Sequence, residues 1–414
     1  MRVPSSQLPT RERGLMVMTG VALITSLLLG GAAGGSLLSS RGAAWEGTVA
    51  RSVSAVEPAP ATPTATPVPP SPPCWDDAET HGPVGPPVER WRFERGRTVF
   101  SAPVLANGVL FVGSWGGYLY AIDARTGADR WTYRTGRMVH AAPLTGAGLV
   151  YAADMDGTVH AVDASTGHPL WRVAARDYPA MALAGDALLV VSGKNGSAPA
   201  VAGDTVYVGG GNDDLIVQSL DASTGAERWR VHLTRHGLYA LDTATGVERW
   251  QFGTETWVSA APAVAGDWIY VVDEALHKVN AATGWERWRV PMERDIVVRH
   301  AVARSGMVHL VVDVSSQPAD SAGVVSAWVY AFDAVSGAER WRFPTGSAVS
   351  SAPAVAGDTV YVGGDARNLY ALNEATGEVR WQFDLGARLS TPVIHCGVLY
   401  VGLHGGSLVA IANS

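Results

Sequence analysis

The sequence predicts an all-β fold, a closed ring of four-stranded antiparallel blades. Three observations predict it. An eleven-residue phrase recurs seven times: "AIDARTGADRW" at 121–131, "AVDASTGHPLW" at 161–171, "SLDASTGAERW" at 219–229, "ALDTATGVERW" at 240–250, "KVNAATGWERW" at 278–288, "AFDAVSGAERW" at 331–341 and "ALNEATGEVRW" at 371–381. With a headless copy ending at Trp91, the phrase tryptophans are Trp91, Trp131, Trp171, Trp229, Trp250, Trp288, Trp341 and Trp381, a basic step of about forty residues. The stretch "SAPAVAGDTVYVGG" stands unchanged at 197–210 and at 351–364, which means amplification of an interchangeable unit. Each period reads as four short runs, A to D, separated by turn signals, as in "SAPAVA", "TVYVGG", "LYALD" and "ERWRF". Four short strands per period of this length make one blade of a β-propeller.

The residues of the phrase have mechanical roles. The Asp or Asn closing strand C can hydrogen-bond the backbone of the turn after it. The glycine supplies the positive φ of the C–D connection. The tryptophan is large and flat, its indole N–H needs a partner when buried, and once per period it can dock one blade on the next. Seven of the eight tryptophans follow an arginine, Leu170 being the exception. Side chains alternate along a strand, so these arginines are expected to face solvent as a solubilising edge.

The phrase, with "SAPAVAGDTVYVGG" before it, resembles the PQQ-like repeat family, whose tryptophan-docking propellers include quinoprotein alcohol dehydrogenases and the assembly factor BamB. The resemblance covers residues 86–414. It implies the propeller fold. It does not imply PQQ, because many members of the family do not bind it.

Eight blades are expected, with seven blades plus an excursion as the alternative. The last unit, "LSTPVIHCGVLYVGLHGGSLVAIANS", has strands A to C, and "VERWRFERG" at 88–96 is an orphan strand D, so the two ends should complete one blade. Between Trp171 and Trp250 the order is disturbed. "MALAGDALLVVSG" reads as A and B, the copied stretch supplies A and B again, and "GLYALDTATGVERW" is C and D with nothing before it. A distorted stretch at 181–250 is expected there. An insertion at 315–327 lengthens the B–C loop of one blade.

Outside the propeller, residues 74–414, two segments stand apart. Residues 1–40 carry Arg2, Arg11 and Arg13 before an uncharged run at 14–40. That run reads as a membrane anchor or a signal peptide, with the rest of the chain exported. Residues 41–73 form a linker rich in Pro, Thr and Ala, which favours extended polyproline II. Cys74 and Cys396 are the only cysteines. They lie near the two ends of the ring, and in an exported protein a disulfide between them would lock it; two unrelated thiols are the alternative.

The net charge of −7, with two lysines in the chain, lacks the basic footprint of a nucleic-acid binder. Other motifs are sparse. His232 and His236 have metal spacing only on a helix, and the segment reads as a loop. His395, Cys396 and His404 lie close in sequence, but Cys396 has the disulfide as a use. His160 replaces the usual strand-C tyrosine as a packing variant. "NDD" at 212–214 offers too few oxygens for Ca²⁺. Quinoprotein dehydrogenases carry an adjacent cysteine pair, Ca²⁺ ligands and a catalytic Asp, and no residues here match that set. The expectation is therefore an exported, non-catalytic module that binds another protein or a cell-envelope component without a cofactor. It would be anchored in the cytoplasmic membrane or secreted. The alternative is a quinoprotein-type oxidoreductase or a ligand sensor, with PQQ and Ca²⁺ in the channel.

Overall fold

The structure, a computed structural model, describes residues 82–414 apart from 96–100, 140, 175–179, 185–186, 192–199, 203–204, 211–214, 234–236, 257, 259, 294–295, 315–325, 350 and 365–366. The described residues form eight four-stranded antiparallel sheets, and these are the blades. Blade 1 is Val104–Ala106, Val109–Ser114, Tyr118–Asp123 and Asp129–Arg134. Blade 2 is Leu144–Gly146, Leu149–Ala153, Thr158–Asp163 and Pro169–Ala174. Blade 5 is Ala263–Ala265, Trp268–Val272, Ala275–Asn280 and Glu286–Pro291. Blade 7 is Ala354–Ala356, Thr359–Gly363, Asn368–Asn373 and Val379–Asp384. Strands B and C alternate toward both neighbouring blades, so both of their faces are buried and the core is divided into seams. Between blades 2 and 3, for example, Leu149, Tyr151 and Trp171 pack on Val206, Leu220 and Ala222.

The expected fold class needs correction in the stretch 181–250. The blades do not follow one another in chain order, and the stretch is not one distorted unit. Ala180–Ala184 and Ala187–Val191 form one sheet with Leu238–Asp242 and Glu248–Phe252. Strand B of that sheet pairs directly with its distant strand C, Val190 opposite Tyr239. Between the halves lies a whole second sheet, Ala200–Ala202, Thr205–Gly210, Leu215–Asp221 and Glu227–Leu233. The inserted sheet is blade 3 and the interrupted one is blade 4. The physical reason is that each sheet satisfies its own ladder, so a unit dropped into a B–C loop can close on itself and leave its host to pair around it.

Blade 8 joins the ends. Pro87–Glu94 pairs with Ser407–Asn413, beside Val398–Leu403 and Val393–His395. Gly85 N–H donates to the Asn413 side chain at 3.2 Å and Arg90 donates to the Asn413 carbonyl at 2.7 Å. Blade 6 departs in length: Ile296–Arg304, Met307–Val314 and Ser326–Asp333 precede Glu339–Pro344. Its nine-residue strand A replaces the three-residue strand A of blades 1 and 2. Of the expected insertion at 315–327, Ser326 and Ala327 lie on the third strand of the blade, and residues 315–325 lie outside the described residues.

Among the described residues no helix is long and apolar enough to cross a membrane. Residues 14–40, the linker and Cys74 lie outside the described residues.

Candidate functional site

Each phrase tryptophan donates its indole N–H to a backbone carbonyl of the next blade. Trp91 reaches Ala124, Trp131 reaches Ala164, Trp171 reaches Ala222 and Trp229 reaches Thr243, at 2.8–3.0 Å. Trp250 reaches Ala281, Trp288 reaches Val335, Trp341 reaches Glu374 and Trp381 reaches Pro83, at 2.7–3.0 Å. The steps run through every blade and return to the first. The nested blade takes its place in the ring through Trp171, and the ring closes through Pro83, just ahead of the orphan strand. In several seams a strand-B tyrosine shares the acceptor. Tyr151 O–H donates to Ala222 at 3.4 Å and Tyr361 O–H donates to Pro83 at 3.1 Å.

The phrase glycine has two reasons to be glycine. At Gly225 φ is +72°, and an added Cβ would stand 2.8 Å from the indole of Trp171, which lies against the turn. The sequence reading found the first reason and missed the second, because the indole comes from the preceding blade.

Except at Arg287, the arginines before the tryptophans are not a free solvent edge. In strand D the ladder skips the arginine: Ala121 pairs with Trp131 and Ile122 with Asp129. The bulge takes Arg130 out of alternation, and its guanidinium folds over the turn to Asp123 at 2.6 Å. Arg228, Arg249 and Arg340 do the same with Asp221, Asp242 and Asp333 at 2.5–2.7 Å. Arg380, opposite an Asn, turns to Asp358 at 2.6 Å. The phrase Asp also accepts the turn's own donors, as Asp221 does from Ser223, Thr224 and Arg228. Arg249 and Thr245 hold Asp242 well below the usual carboxylate range, at about 2.

Polar groups gather where the B–C and D–A loops meet. In blade 2, Tyr133 O–H from blade 1 donates to His160 Nδ1 at 3.1 Å, and His160 Nε2–H donates to Asp154 at 3.1 Å. Asp154 also accepts the backbone N–H groups of Asp156 and Thr158. Burial pushes His160 below the ordinary histidine value against the pull of Asp154. In blade 5, His277 donates from both nitrogens, to Asp273 at 2.8 Å and Glu286 at 2.6 Å. Burial opposes its charge, but the two carboxylates win and its pKa is raised. Asp273 further accepts from Glu255 N–H and Ala275 N–H. In blade 6 a bulge at Arg299 aims its guanidinium at Asp313, 2.6 Å away. His309, which takes the strand-B tyrosine position, is fully buried without a hydrogen bond, and burial lowers it to about 4.

His160 is therefore more than a packing variant. Asp154, Asp273, Glu286, Arg299 and Asp313 were missed in the sequence. The signal was an Asp ending strand B a few residues before a strand-C His, in "DMDGTVH" and "DEALH". His232 lies on a strand, paired with Ile216, so the helical spacing with His236 does not arise. His395 and His404 sit beyond opposite ends of the strand Val398–Leu403, about 20 Å long, so the two histidines do not meet at Cys396 as one ligand set. Cys396, half-buried in the A–B turn at φ +49°, lines a cleft of about 420 Å³ with Arg90, Trp91 and Arg125. His236, residues 212–214 and Cys74 lie outside the described residues. Among the described residues no three His, Cys, Asp or Glu side chains converge as metal ligands. The Asp154 and Asp273 oxygens accept hydrogen bonds from the protein's own backbone and histidines.

Blades linked tryptophan to carbonyl around a closed circle define a tryptophan-docking β-propeller. The chain belongs to the PQQ-like repeat family described as outer membrane protein assembly factor BamB, which matches residues 87–236, 231–325 and 325–414. No curated protein matches the chain. Among solved structures it is similar to the quinohemoprotein alcohol dehydrogenase ADHIIG of Pseudomonas putida HK5, at 15% identity and TM-score 0.61, over 80% of this chain and 76% of that one. A europium-containing methanol dehydrogenase gives 15% identity and TM-score 0.62 over 79% and 93%. BamB from Moraxella catarrhalis gives 19% identity and TM-score 0.44 over 76% and 83%. For the two dehydrogenases, at 15% identity, the likeness is one of fold.

Proposed function

We propose that this protein is a non-catalytic, extracytoplasmic propeller that binds another protein or envelope component and works without a cofactor. The observation that carries this reading is the internal use of the loop-face groups. Asp154 and His160, and Asp273, His277 and Glu286, spend their hydrogen bonds on fixing loops. Loops pinned in this way present a rigid surface, which lowers the ordering cost of binding a macromolecule. The family carries the name of an assembly factor, and a role in holding envelope proteins together is the form of binding it suggests. Residues 14–40 would anchor the propeller in the cytoplasmic membrane or direct its secretion, and residues 41–73 would hold it off the surface.

The test is incubation of the purified protein with PQQ and Ca²⁺, followed by dye-linked oxidation of alcohols and aldose sugars. No turnover is expected. Turnover would replace this reading with the quinoprotein-type oxidoreductase. Cys74 paired with Cys396 belongs to the same proposal. Closing so long a loop is worth up to about 5 kcal/mol in the chain-entropy description. A non-reduced peptide map should find the two peptides joined; two alkylated thiols would remove the lock.

A further inference from the structure

The C–D turns of blades 4, 5 and 6 differ from the rest. Val247, Trp285 and Val335 are 64%, 79% and 77% exposed, and one stands on each of these consecutive blades. Val247 and Trp285 follow the phrase glycine, where blades 1, 2, 3, 6 and 7 have alanine, histidine or glutamate, and Val335 stands two residues before the glycine of blade 6. Trp285 immediately precedes blade 5 strand D, and three residues on Trp288 donates to the Val335 carbonyl. The two exposed apolar side chains therefore belong to the two sides of one seam. The charge is also particular. Asn280 stands where blades 4 and 6 have Asp242 and Asp333, and among the described residues Arg287 makes no ion pair, while Arg249 and Arg340 are neutralised. Lys278, in the same seam, is buried and spends its ammonium on the Ala334 carbonyl, which leaves Arg287 as the exposed cation of this turn. Glu286, the nearest acid in sequence, is held by His277.

We infer that the C–D turns of blades 4 to 6 form a docking surface for an acidic segment of a partner protein, with Trp285 and Val335 receiving an apolar side chain and Arg287 a carboxylate. This deepens the binding reading above and rests on it. An exposed tryptophan beside an unpaired arginine is the pairing that dominates protein interfaces. A membrane surface fits less well, because anionic lipid is held by clusters of several cations and this chain carries a net charge of −7.

The test uses the full chain and short fluorescent peptides, one alternating Asp and Leu, one alternating Lys and Leu, and one alternating Asp and Ser. Anisotropy should rank the Asp-Leu peptide first. Trp285→Ser and Arg287→Glu should each weaken it at least about tenfold, with melting temperatures unchanged. Asn280→Asp, which gives Arg287 a partner, should weaken it about threefold. His168→Ala, at the same turn of blade 2, should leave it unchanged. Absence of peptide binding overturns the inference, and so does binding to phosphatidylglycerol vesicles through Trp285 in its place. Peptide binding that ignores Trp285→Ser also overturns this surface but leaves the protein-binding reading standing. Oxidase turnover strikes that reading while leaving a Trp285-dependent peptide site intact.

Discussion

Blades 2 and 5 carry an Asp–His pair at the same place, yet they dock on their neighbours differently. In blade 2 the residue opposite the docking tryptophan is Ala161, and Trp171 and Tyr151 both donate to Ala222, the residue after the phrase Asp. In blade 5 that residue is Lys278. Its ammonium takes the equivalent carbonyl, Ala334, at 2.7 Å, and lies over the ring of Trp268 at 4.4 Å. Trp288 is moved one residue along the turn, to Val335. Trp171 is buried and Trp288 half-buried. One strand-C side chain thus takes the acceptor that the indole uses in blade 2, and the indole docks one residue further along the facing turn.

The largest break in this comparison should come from the rings themselves. Trp171→Ala should cost about 3–5 kcal/mol, read from urea denaturation. Trp288→Ala should cost about 2 kcal/mol less, since less of the ring leaves water. Equal losses would mean that depth of burial does not govern the seams.

The glycines beneath the rings come next. Gly225→Ala places a Cβ 2.8 Å from Trp171 at positive φ, whereas at Gly337 the nearest atom of Trp288 is 3.2 Å away. The first should lose about 2–4 kcal/mol and the second about 1–2. A reversed order would contradict the looser fit of the blade 5 seam.

Lys278→Ala sharpens the contrast, because it restores the small residue of blade 2. Stability should change by no more than about 1 kcal/mol, and Trp288 emission should move to shorter wavelength as the indole settles toward Ala334. A loss several times larger would assign Lys278 a supporting role in place of a displacing one.

The histidines should separate on titration. By NMR, His160 should titrate below 6.5 and His277 above it. A raised folded pKa means that the His277 contribution is complete below about 6.5 and is lost as pH rises through the folded value. The melting-temperature gap between the wild type and His277→Gln should therefore be widest in acid and narrow in base. A gap that widens with pH would show a neutral His277.

The smallest effect concerns Asn280→Asp, which restores the ion pair of blades 4 and 6. At neutral pH the melting temperature should rise by about 1 °C. A depressed carboxylate contributes above its unfolded pKa and loses that contribution as pH falls through the folded value, so the gain should vanish in acid. Persistence of the gain in acid would point to the turn's backbone hydrogen bonds as its source.

The ring was legible because its signals are local and repeated: Trp131 or Trp381 recurs with its Asp and Gly at fixed offsets. What escaped depends on register or on a neighbour distant in sequence. Arg130 was assigned to solvent because alternation was carried through a position where the ladder slips. The two halves of blade 4 were each read as strands, "MALAGDALLVVSG" and "GLYALDTATGVERW", but joining them requires Val190 to find Tyr239 across an intervening sheet. Asp154 and His160 meet only once strands B and C are paired, and the displacement of Trp288 needs Ala334 from another blade.

The interrupted blade also has a timetable. Its first hairpin leaves the ribosome with one strand edge open, and the strand that covers that edge follows only after residues 192–237 have been made. At ordinary synthesis rates that wait is roughly 2 to 9 s. Until then the open edge is a template for any strand that passes. The sheet emerging during the delay is competing material, since it is built from repeats of the same sequence. Slowed elongation between these two halves should therefore lower the yield of soluble protein, whereas a pause placed between blades 1 and 2 should be harmless.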